Sequence, residues 1–463
     1  MRAKKPPRKD AVVHVHKIMD EFMKLDSDMF RNGIDFGLNS KGEYLSYYDI
    51  TKKYPKNANN VWEVLRLTRS FDKTHLPFKD ANGDRAVFNL TQLMNSIISQ
   101  VDRMTTSAAI SESLAGVIGH SLLLTGFDSL ESISSSQLEG AATTTKVALD
   151  MLEVGREPTN ESEVMIARNH NLMQKIPQEI DNDLSFELIL ELHYSATYGI
   201  DDKKYHPGKL RQTNDVVVVD AQDQVVHQPI EYDKVYDYLN QLCSWVNTPH
   251  HKQSGVDYIH PVIKACVLHF MIGWIHPFND GNGRTARGLF YWYMMKMGFS
   301  GFKYLSISKY MKRSATSYGT AYLNSEYDHF NLTYFIEYHL IQIRHAIEGF
   351  NDAINKQREI IAYLNGAYSK SEDHQSLNHR QRKIFMFGLL RGGETFSIPS
   401  IQARFNVAYN TAKTDLEILT KLRMFKVKTE GGKKLYITPK SIDQLEKWTQ
   451  DSPTRIMPKA TDW

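Results

Sequence analysis

The chain contains few cysteines, no long apolar run and almost no net charge. Its two cysteines, Cys243 and Cys266, are too few for a disulfide framework in 463 residues, and we expect them as buried thiols in the reducing cytoplasm. No stretch approaches the roughly 18 uninterrupted apolar residues that span a membrane. The basic N-terminus leads into no apolar segment typical of secretory signals, so no membrane partner is expected. A net charge of +3 argues neither for nor against a nucleic-acid partner.

The composition is that of a folded protein. With 41% hydrophobic and 24% charged residues, the sequence excludes a disordered chain, and its length predicts roughly two to four folded units. Changes in pattern divide it into an N-terminal region of unclear role, a helical domain, a linker, a C-terminal module and a tail. These are residues 1–88, 89–364, 365–376, 377–445 and 446–463.

Apolar residues recur mostly at helical spacing up to the linker. This spacing predicts a helix near Val13–Leu25, a helical run over 89–124 and long helices between 135 and 350. Residues 76–90 are predicted to form a loop. The predicted fold class is therefore mainly α.

One segment interrupts the helical pattern. Two short runs of β-type residues, Val216–Val219 and Gln224–His227, flank the polar turn Asp220–Asp223, which is a hairpin signal. An isolated two-stranded hairpin is marginally stable, so this one must pack against another part of its domain. The pattern alone leaves open whether the hairpin has a function or only covers the surface.

The strongest pattern is the twelve-residue segment HPFNDGNGRTAR, residues His276 to Arg287. Pro277 disfavours helix in the residue before it, so the apolar helix that precedes the segment should end at His276. Gly281, Asn282 and Gly283 allow a tight turn whose backbone N–H groups converge on an anion. A helix resumes at Arg284, and its N-terminal dipole favours phosphate at this turn.

The side chains of this segment suit nucleotide chemistry. Arg284 and Arg287 are three residues apart, so they project from one helical face and could bind a polyphosphate together. Asp280 could hold a Mg²⁺ ion that bridges phosphates. His276 stands at the rim of the turn and could accept a proton from an incoming hydroxyl.

The segment carries the complete signature His-Pro-Phe-x-Asp-Gly-Asn-Gly-Arg-x-x-Arg, and the chain therefore resembles the Fic family. The resemblance extends through Leu192-His193, the hairpin at 216–227 and Asn331-Leu332-Thr333, and covers roughly residues 90–350. It implies a Fic-type helical bundle with a β-hairpin flap. It also implies transfer of AMP from ATP to a hydroxyl of a target protein, with release of pyrophosphate.

The resemblance assigns roles to the residues of the signature. His276 would be the base that deprotonates the target Tyr, Ser or Thr, and Asp280 would coordinate Mg²⁺ on the α and β phosphates. The amides of the Gly-Asn-Gly turn, with the Asn282 side chain, would form an anion hole. Arg284 would bind the inner phosphates and Arg287 the γ-phosphate. ATP is thus the implied substrate and Mg²⁺ the implied cofactor.

Two further assignments come from the same resemblance. The first hairpin strand, Val216, Val217, Val218 and Val219, would belong to the flap that pairs by strand addition with the target segment. Tyr318 stands near the place where the family often has a tyrosine beside the adenosine, although the spacing after it departs from the family pattern.

A second motif lies upstream, in Ser134–Gly140. Locally, Ser135 could cap a helix and Glu139 would lie about one turn inside it. The family's inhibitory helix carries Ser/Thr-x-x-x-Glu-Gly, which this segment matches, so the resemblance implies a class II protein with an inhibitory helix at about 135–150. In it Glu139 would pair with Arg287, remove the γ-phosphate partner and hold ATP in an unproductive pose. A plain cap without regulatory meaning is the alternative.

The C-terminal module has a different character. Residues Arg380–Leu390, Ser397–Phe405 and Tyr409–Leu422 read as helices, and residues 426–437 as a β-hairpin, an order that resembles a winged helix-turn-helix domain. Between residues 377 and 440 there are 13 Lys or Arg against 4 Asp or Glu, a balance of +9, so with +3 overall the other residues carry −6. DNA contact through 377–440 and a dimer or partner module are both compatible with this pattern.

Two classes of function follow from these features. The first is an adenylyltransferase restrained by Glu139, and the second is a DNA-binding regulator whose Fic domain serves as a nucleotide sensor. The intact His276, Asp280 and both arginines favour the enzyme, since a sensor does not need the base. Removal of AMP, or transfer of another phosphate-linked group, by the same site stays open, as do the target protein and an oligomeric assembly.

Overall fold

The computed structural model describes residues 3–7, 37–114, 120–202, 204–220, 222–250, 258–370 and 375–450. The helix expected near Val13–Leu25 lies outside these residues. Helices account for 61% of the structure and strands are few, which confirms the mainly α fold class. None of the helices within the described ranges is long and apolar enough to cross a membrane.

The elements follow one another along the chain in a largely helical order. The helices are α1 Tyr47–Lys53, α2 Ala58–Ser70, α3 Gln92–Met104, α4 Ser107–Leu114, α5 His120–Leu138, α6 Thr145–Val154, α7 Glu161–Lys175, α8 Phe186–Thr197, α9 Val235–Asn247, α10 Pro261–Ile275, α11 Asn282–Lys296, α12 Ser308–Arg313, α13 Ala315–Tyr327, α14 Thr333–Lys370, α15 His379–Leu390, α16 Ile398–Phe405, α17 Tyr409–Lys421 and α18 Ile442–Gln450. The strands are β1 Thr74–Lys79, β2 Arg85–Phe88, β3 Val218–Val219, β4 Val225–His227, β5 Thr395–Phe396, β6 Lys426–Glu430 and β7 Lys433–Ile437.

The chain divides into two compact units. The first consists of residues 1–112, 127–149 and 158–348, and the second of residues 113–126, 150–157 and 349–463. The linker expected at 365–376 begins instead as helix, because α14 continues to Lys370. Ile360 and Leu364 of this helix belong to the apolar core of the second unit, and their burial stabilises helix where the local sequence is polar.

Two helices that are buried on nearly every side form the centre of the first unit. Helices α10 and α11 each bury thirteen of their fifteen residues, the pattern of helices surrounded by protein. The short loop between them, 276–281, carries the first half of the signature, and the start of α11 carries the rest. The loop is therefore held at both ends by buried helices, so its backbone has little freedom to move.

A β-hairpin replaces the loop predicted at 76–90. Strands β1 and β2 pair antiparallel, with Thr74 opposite Phe88. Leu76 and Phe78 alternate toward the core and are fully buried. The turn between the strands is closed by Asp80, whose side chain accepts hydrogen bonds from the backbone N–H groups of residues 82 and 84. The burial of alternate apolar residues thus outweighs the turn-forming composition of the segment.

The second unit contains the elements predicted for the C-terminal module. Helices α15, α16 and α17 lie within a residue or two of the predicted ranges, and β6 and β7 form the predicted hairpin. An additional strand, β5, completes a sheet of order β5-β7-β6. The winged-helix assignment of this arrangement stays a prediction.

The second unit also contains a buried cluster of charges. Glu153, near the end of α6, forms salt bridges with both Arg391 and Arg404. Its side chain is 9% exposed, and Arg404 also lies over the ring of Phe387 with its guanidinium carbon 4.2 Å from the ring centroid. Two arginines thus share one desolvated carboxylate, an arrangement that is costly to disrupt.

Candidate active site

His276 ends helix α10 in a left-handed conformation, with φ of 51°. Its backbone is held by Arg211, whose Nε donates to the His276 carbonyl over 2.8 Å. The imidazole Nδ1 lies 3.2 Å from the Gly273 carbonyl, a geometry in which Nδ1 carries the proton and Nε2 is free to accept one. Burial lowers the pKa of His276 to about 4, so the ring is neutral at physiological pH.

The loop after His276 is closed by an internal pair of hydrogen bonds. The Asn282 side chain accepts from the Phe278 N–H over 2.9 Å and donates to the Phe278 carbonyl over 2.8 Å. Both polar atoms of this side chain are therefore used in the loop, which differs from the expectation that it lines the anion hole. His193 stacks on Phe278 with ring centroids 3.6 Å apart and bonds the Asp280 carbonyl over 2.9 Å, so helix α8 supports the loop.

Glycines shape the N-terminus of helix α11. Gly281 precedes the helix with φ of 84°, and a Cβ built there would lie only 2.7 Å from the Thr197 methyl carbon. The first helical hydrogen bond runs from the Thr285 N–H to the Gly281 carbonyl. The N–H groups of Asn282, Gly283 and the following residue therefore have no acceptor within the helix. These N–H groups lie where the sequence predicts an anion nest, and anion binding by them stays a prediction.

Asp280 is engaged by cations and by the backbone of the same turn. Its Oδ1 accepts from the Gly281 N–H and lies 3.8 Å from Arg284 Nη2, while its Oδ2 lies 3.0 Å from Lys204 Nζ. Lys204 also reaches Asp202 at 3.4 Å. Although partial burial opposes its charge, the Asp280 carboxylate raises the pKa of Lys204, which is a cation at neutral pH. Sequence reasoning missed Lys204, because no spacing connects it with the signature.

Arg284 is completely buried against helix α8. Its Nη1 donates to the Ala196 carbonyl over 2.7 Å and its Nη2 to the Tyr205 hydroxyl over 2.9 Å. The Ala196 carbonyl lies in the last turn of α8, where the helix dipole favours a cation. Arg284 is thereby fixed in place with its charge beside Asp280.

Arg287 is bound by the segment that sequence analysis assigns to inhibition. Its Nε donates to Ser135 Oγ over 2.8 Å, and its Nη2 lies 2.7 Å from Glu139 Oε1. Its Nη1 is buried, has no hydrogen-bond partner among the described residues and would lie 3.1 Å from a Cβ at Gly283. One face of the guanidinium is thus occupied, and one donor faces the nest.

The Glu139 carboxylate itself lies over the nest. A Cβ built on Gly283 would be 2.2 Å from Glu139 Oε1, so the carboxylate fits only because residue 283 has no side chain. The structure therefore places a carboxylate beside the turn at Gly283 and on Arg287. Both predicted inhibitory residues, Ser135 and Glu139, contact Arg287.

The local structure around Glu139 differs from the predicted inhibitory helix at 135–150. Helix α5 ends at Leu138, and Gly140 follows in a left-handed conformation with φ of 99°. The Ala141 N–H bonds the Ser136 carbonyl over 3.0 Å, the closing bond of a Schellman motif. Ser135 therefore lies in the last turn of a helix and does not cap the start of one. Glu139 is presented at the helix end.

A buried glutamate that the sequence reasoning missed anchors helix α5. Glu131 Oε2 accepts from the Ser306 hydroxyl over 3.1 Å and from the Ser308 N–H over 3.0 Å, and its Oε1 accepts from the Ser308 hydroxyl. Burial raises the pKa of this carboxyl. These bonds fix the helix that carries Ser135 at the start of α12, and therefore help to position Glu139.

Tyr318, on helix α13, lies beside Arg287. Its hydroxyl is 2.9 Å from His269 Nε2, and burial raises its pKa while the charge of Arg287 lowers it. The structure thus brings Tyr318 close to the signature, whereas its predicted contact with adenosine stays a prediction.

The predicted flap forms a hairpin that is shorter than expected. Only Val218 and Val219 of the first run form a strand, and Val216 and Val217 precede it. The hairpin packs on the first unit through His227, whose ring lies 2.9 Å from the Trp274 carbonyl and 2.9 Å from Glu326. Because Trp274 is two residues before His276, this contact holds the hairpin next to the loop. Val219 and Val225 are exposed at 46% and 59%.

The residues present fit a Mg²⁺ ion that is held mainly by phosphate. Within the described ranges, no group of three or more His, Cys, Asp and Glu could hold a metal. A single carboxylate, Asp280, together with phosphate oxygens and water is a usual set of Mg²⁺ ligands. In the structure, Lys204 forms an ion pair with the Asp280 carboxylate.

Comparison with known proteins supports the resemblance seen in the signature. Residues 183–294 match the model of the Fic/DOC family, a stretch that contains the whole signature. The chain is 30% identical over 118 residues to protein adenylyltransferase fic-1 of Caenorhabditis elegans, which covers 26% of this chain and 20% of that protein. It is 25% identical over 276 residues to protein adenylyltransferase Fic of Nematostella vectensis, which covers 56% of each. The chain thus spans from a fifth to just over half of these relatives.

Two solved structures match this chain at low similarity. A Fic family protein from Desulfovibrio desulfuricans G20 is similar with a TM-score of 0.46 and 16% identity, over 76% of this chain and 97% of that one. Fic-1 from C. elegans is similar with a TM-score of 0.45 and 17% identity, over 74% and 94% of the two chains.

Proposed function

We propose that this chain, which carries a Fic domain over residues 183–294, is a protein adenylyltransferase that moves AMP from ATP to a hydroxyl of a target protein. One observation carries the proposal: a neutral His276 with a free Nε2 stands beside a helix whose first N–H groups have no acceptor within the helix, with the cationic side chains of Arg284 and Arg287 in its first turns. A base, an anion nest and cationic side chains are what displacement at a phosphorus requires.

The chemical step follows from this arrangement. His276 Nε2 takes the proton of the target hydroxyl as its oxygen attacks the α-phosphorus. The bond between the α-phosphorus and the bridging oxygen breaks, and pyrophosphate leaves with the electron pair. Mg²⁺ held by Asp280 would neutralise phosphate charge when bound. The N–H groups of residues 282 and 283 bind the phosphate oxygens, and the fixed charge of Arg284 stabilises the negative charge that develops.

The hairpin β3–β4 aligns the target. Its short strands expose Val219 and Val225, and an extended target segment can pair with the hairpin by strand addition. Because His227 ties the hairpin to helix α10, a segment bound there lies beside His276. The target is therefore a protein with an extended segment that contains the accepting hydroxyl.

Glu139 restrains the reaction in this proposal. Its carboxylate pairs with Arg287 and lies over Gly283, where a nucleotide phosphate would need both the charge and the space. A charge-assisted hydrogen bond between a buried arginine and a partly exposed carboxylate is worth about 1.5–3 kcal/mol. The free protein is therefore biased toward a state that binds ATP unproductively. Removal of AMP from a modified protein by the same site is the competing activity.

Incubation with α-labelled ATP and Mg²⁺ tests the transferase. We expect weak label on the wild type, stronger label on Glu139→Gly and none on His276→Ala. The matched controls are Glu157→Gly and His75→Ala, which change an exposed loop glutamate and an exposed strand histidine. Labelling of His276→Ala equal to the wild type would exclude His276 as the base. Loss of label from a modified protein, with release of AMP, would favour the competing activity.

A second function is proposed for the C-terminal unit, namely contact with DNA. The hairpin β6–β7 exposes Lys426, Lys428, Lys433 and Lys434 within a segment whose balance is +9. Exposed lysines on a hairpin suit phosphate contacts. In a mobility-shift assay with the full chain, Lys433→Gln/Lys434→Gln should weaken binding and reduce its salt dependence, whereas Lys52→Gln/Lys53→Gln should not. Absence of any shift with the wild type rejects this function and favours a partner or dimer module.

The setting of the enzyme completes the proposal. The two cysteines, Cys243 and Cys266, are both free and buried, and burial raises the pKa of each thiol. Unreactive thiols suit the reducing cytoplasm, where we place the protein.

A further inference from the structure

We propose that Lys204 competes with the divalent metal for Asp280, so that metal loading requires the ammonium group to leave the carboxylate. This inference rests on the proposed function, because it concerns the metal that accompanies ATP. It begins from the 3.0 Å contact between Lys204 Nζ and Asp280 Oδ2. No part of the signature predicts this contact, since Lys204 lies 76 residues before Asp280.

The two oxygens of Asp280 have partners of different kinds. Oδ1 is bound to the Gly281 N–H, a backbone group that cannot leave without opening the turn. Oδ2 is bound to the end of a side chain that is 53% exposed. A metal can therefore reach Oδ2 by displacing Lys204, whereas Oδ1 is committed to the loop.

A second carboxylate, that of Asp202, lies within reach of Lys204. Asp202 Oδ2 lies 3.4 Å from its ammonium, and the ammonium is also 5.2 Å from the centroid of the Tyr205 ring. Tyr205 is buried and bonded to Arg284, so the backbone beside Lys204 is fixed while the side chain can turn. When metal binds Asp280, Lys204 keeps Asp202 as a partner and does not have to enter solvent alone.

Electrostatics gives the direction of the effect. An ammonium group and a divalent ion a few ångströms apart repel each other, and the repulsion is reduced because Lys204 is partly solvated. Without the lysine, Asp280 has no mobile cation and binds the metal more tightly. Lys204 is thus a positioning and selecting residue, which leaves Asp280 to a metal only when phosphate accompanies it.

The test measures metal binding and not turnover. In the Glu139→Gly background, Mn²⁺ is titrated into protein that is in excess over α,β-methylene-ATP, free Mn²⁺ is followed by electron paramagnetic resonance, and a titration of the nucleotide alone is subtracted. Lys204→Met should raise the affinity for Mn²⁺ roughly three- to tenfold. Lys204→Arg, which keeps the charge, should stay close to the parent. Lys209→Met, which removes an exposed lysine from the same loop, should also have no effect.

The outcomes separate this inference from the proposed function. Unchanged Mn²⁺ affinity in Lys204→Met, with the nucleotide bound, overturns the competition. If calorimetry shows that the nucleotide analogue does not bind Glu139→Gly, the proposed function fails. In that case, a Mn²⁺ titration without nucleotide tests whether Lys204 competes with the metal. There Lys204→Met should still bind Mn²⁺ more tightly than the parent, and the gain should vanish in Lys204→Met/Asp280→Asn. A gain that persists without Asp280 also overturns the inference.

Discussion

Glu139 and Glu153 lie fourteen residues apart in the chain, and both pair with arginine, but the two contacts are built differently. Glu139 meets one arginine, Arg287, with its side chain 28% exposed, and one donor of that arginine is left without a partner among the described residues. Glu153 meets two arginines, Arg391 and Arg404, and its side chain is 9% exposed.

The difference shows how one type of ion pair can serve two purposes. A desolvated carboxylate shared by two arginines leaves buried charges behind when it is broken, so it holds a fold together. The Glu139 carboxylate is 28% exposed and can return to water, and the buried arginine that it leaves is ready for another anion. We therefore assign a structural role to the pairs of Glu153 and a regulatory role to the pair of Glu139.

The largest effect is expected for Glu153→Ala. Removing this carboxylate takes the ion-pair partner from Arg404 and leaves Arg391 paired with Glu394 alone, which should lower the free energy of unfolding of the second unit by about 3–5 kcal/mol. Urea denaturation of the full chain, followed by circular dichroism, measures it. Glu157→Ala, an exposed glutamate four residues further on, is the control. A loss of less than about 1 kcal/mol, which is typical of exposed pairs, would remove the contrast between the two glutamates.

Glu139→Gly should act mainly on activity. Loss of a contact worth about 1.5–3 kcal/mol should raise the rate of labelling from α-labelled ATP roughly ten- to a hundredfold. The same urea denaturation should show a smaller loss than that of Glu153→Ala, of no more than about 1.5–3 kcal/mol, because the buried Arg287 loses its carboxylate but keeps Ser135 as a partner. If labelling does not rise, the regulatory half of the comparison fails.

Glu139→Asp should have an intermediate effect. The shorter side chain keeps its charge but cannot reach Arg287 with the same geometry, so labelling should rise by roughly three- to fivefold. The initial rate at one ATP concentration, compared with that of Glu139→Gly, gives the order of the two variants. An Asp variant as active as the Gly variant would mean that reach matters more than charge.

The smallest effect is expected from pH. Burial lowers the pKa of His276 to about 4, so the base is unprotonated over the whole physiological range. Labelling by Glu139→Gly should therefore be flat between about pH 8 and pH 5. Below about pH 4 it should fall roughly tenfold per unit, because the protonated ring cannot accept the proton. Near-ultraviolet circular dichroism at each pH checks that the fold is retained. A loss of labelling already near pH 6.5 would contradict the lowered pKa of His276.

The part of the site that could be predicted from the sequence is local. Pro277 ends one helix, Gly281 begins the next, and the residues between them have to form a tight loop. The backbone chemistry of these residues dictates that loop without help from distant segments. The C-terminal helices were predicted for the same reason, since each has clear apolar spacing and Ser397 marks the start of one.

The remaining features depend on segments that meet only in the fold. Lys204 and Glu131 reach their partners across 76 and 175 or more residues, and no spacing signals such a contact. The prediction that Ser135 caps the start of a helix was wrong, although the sequence contains a local signal against it. Gly140 directly after an apolar helical run marks a helix end, which outweighs the capping tendency of a serine. At 365–370, burial of distant apolar neighbours overrides a polar local sequence.

The absence of a side chain at Gly283 has a consequence for how the enzyme would respond to its substrate. In the proposed mechanism, Glu139 is a ligand tethered to its own receptor, and it shares one small volume with a phosphate of ATP. A tethered ligand has a fixed effective concentration, which dilution of the protein does not change. Restraint is therefore the same at every protein concentration, and only the supply of nucleotide shifts the competition. The enzyme would thus follow the ATP level around it and not its own abundance.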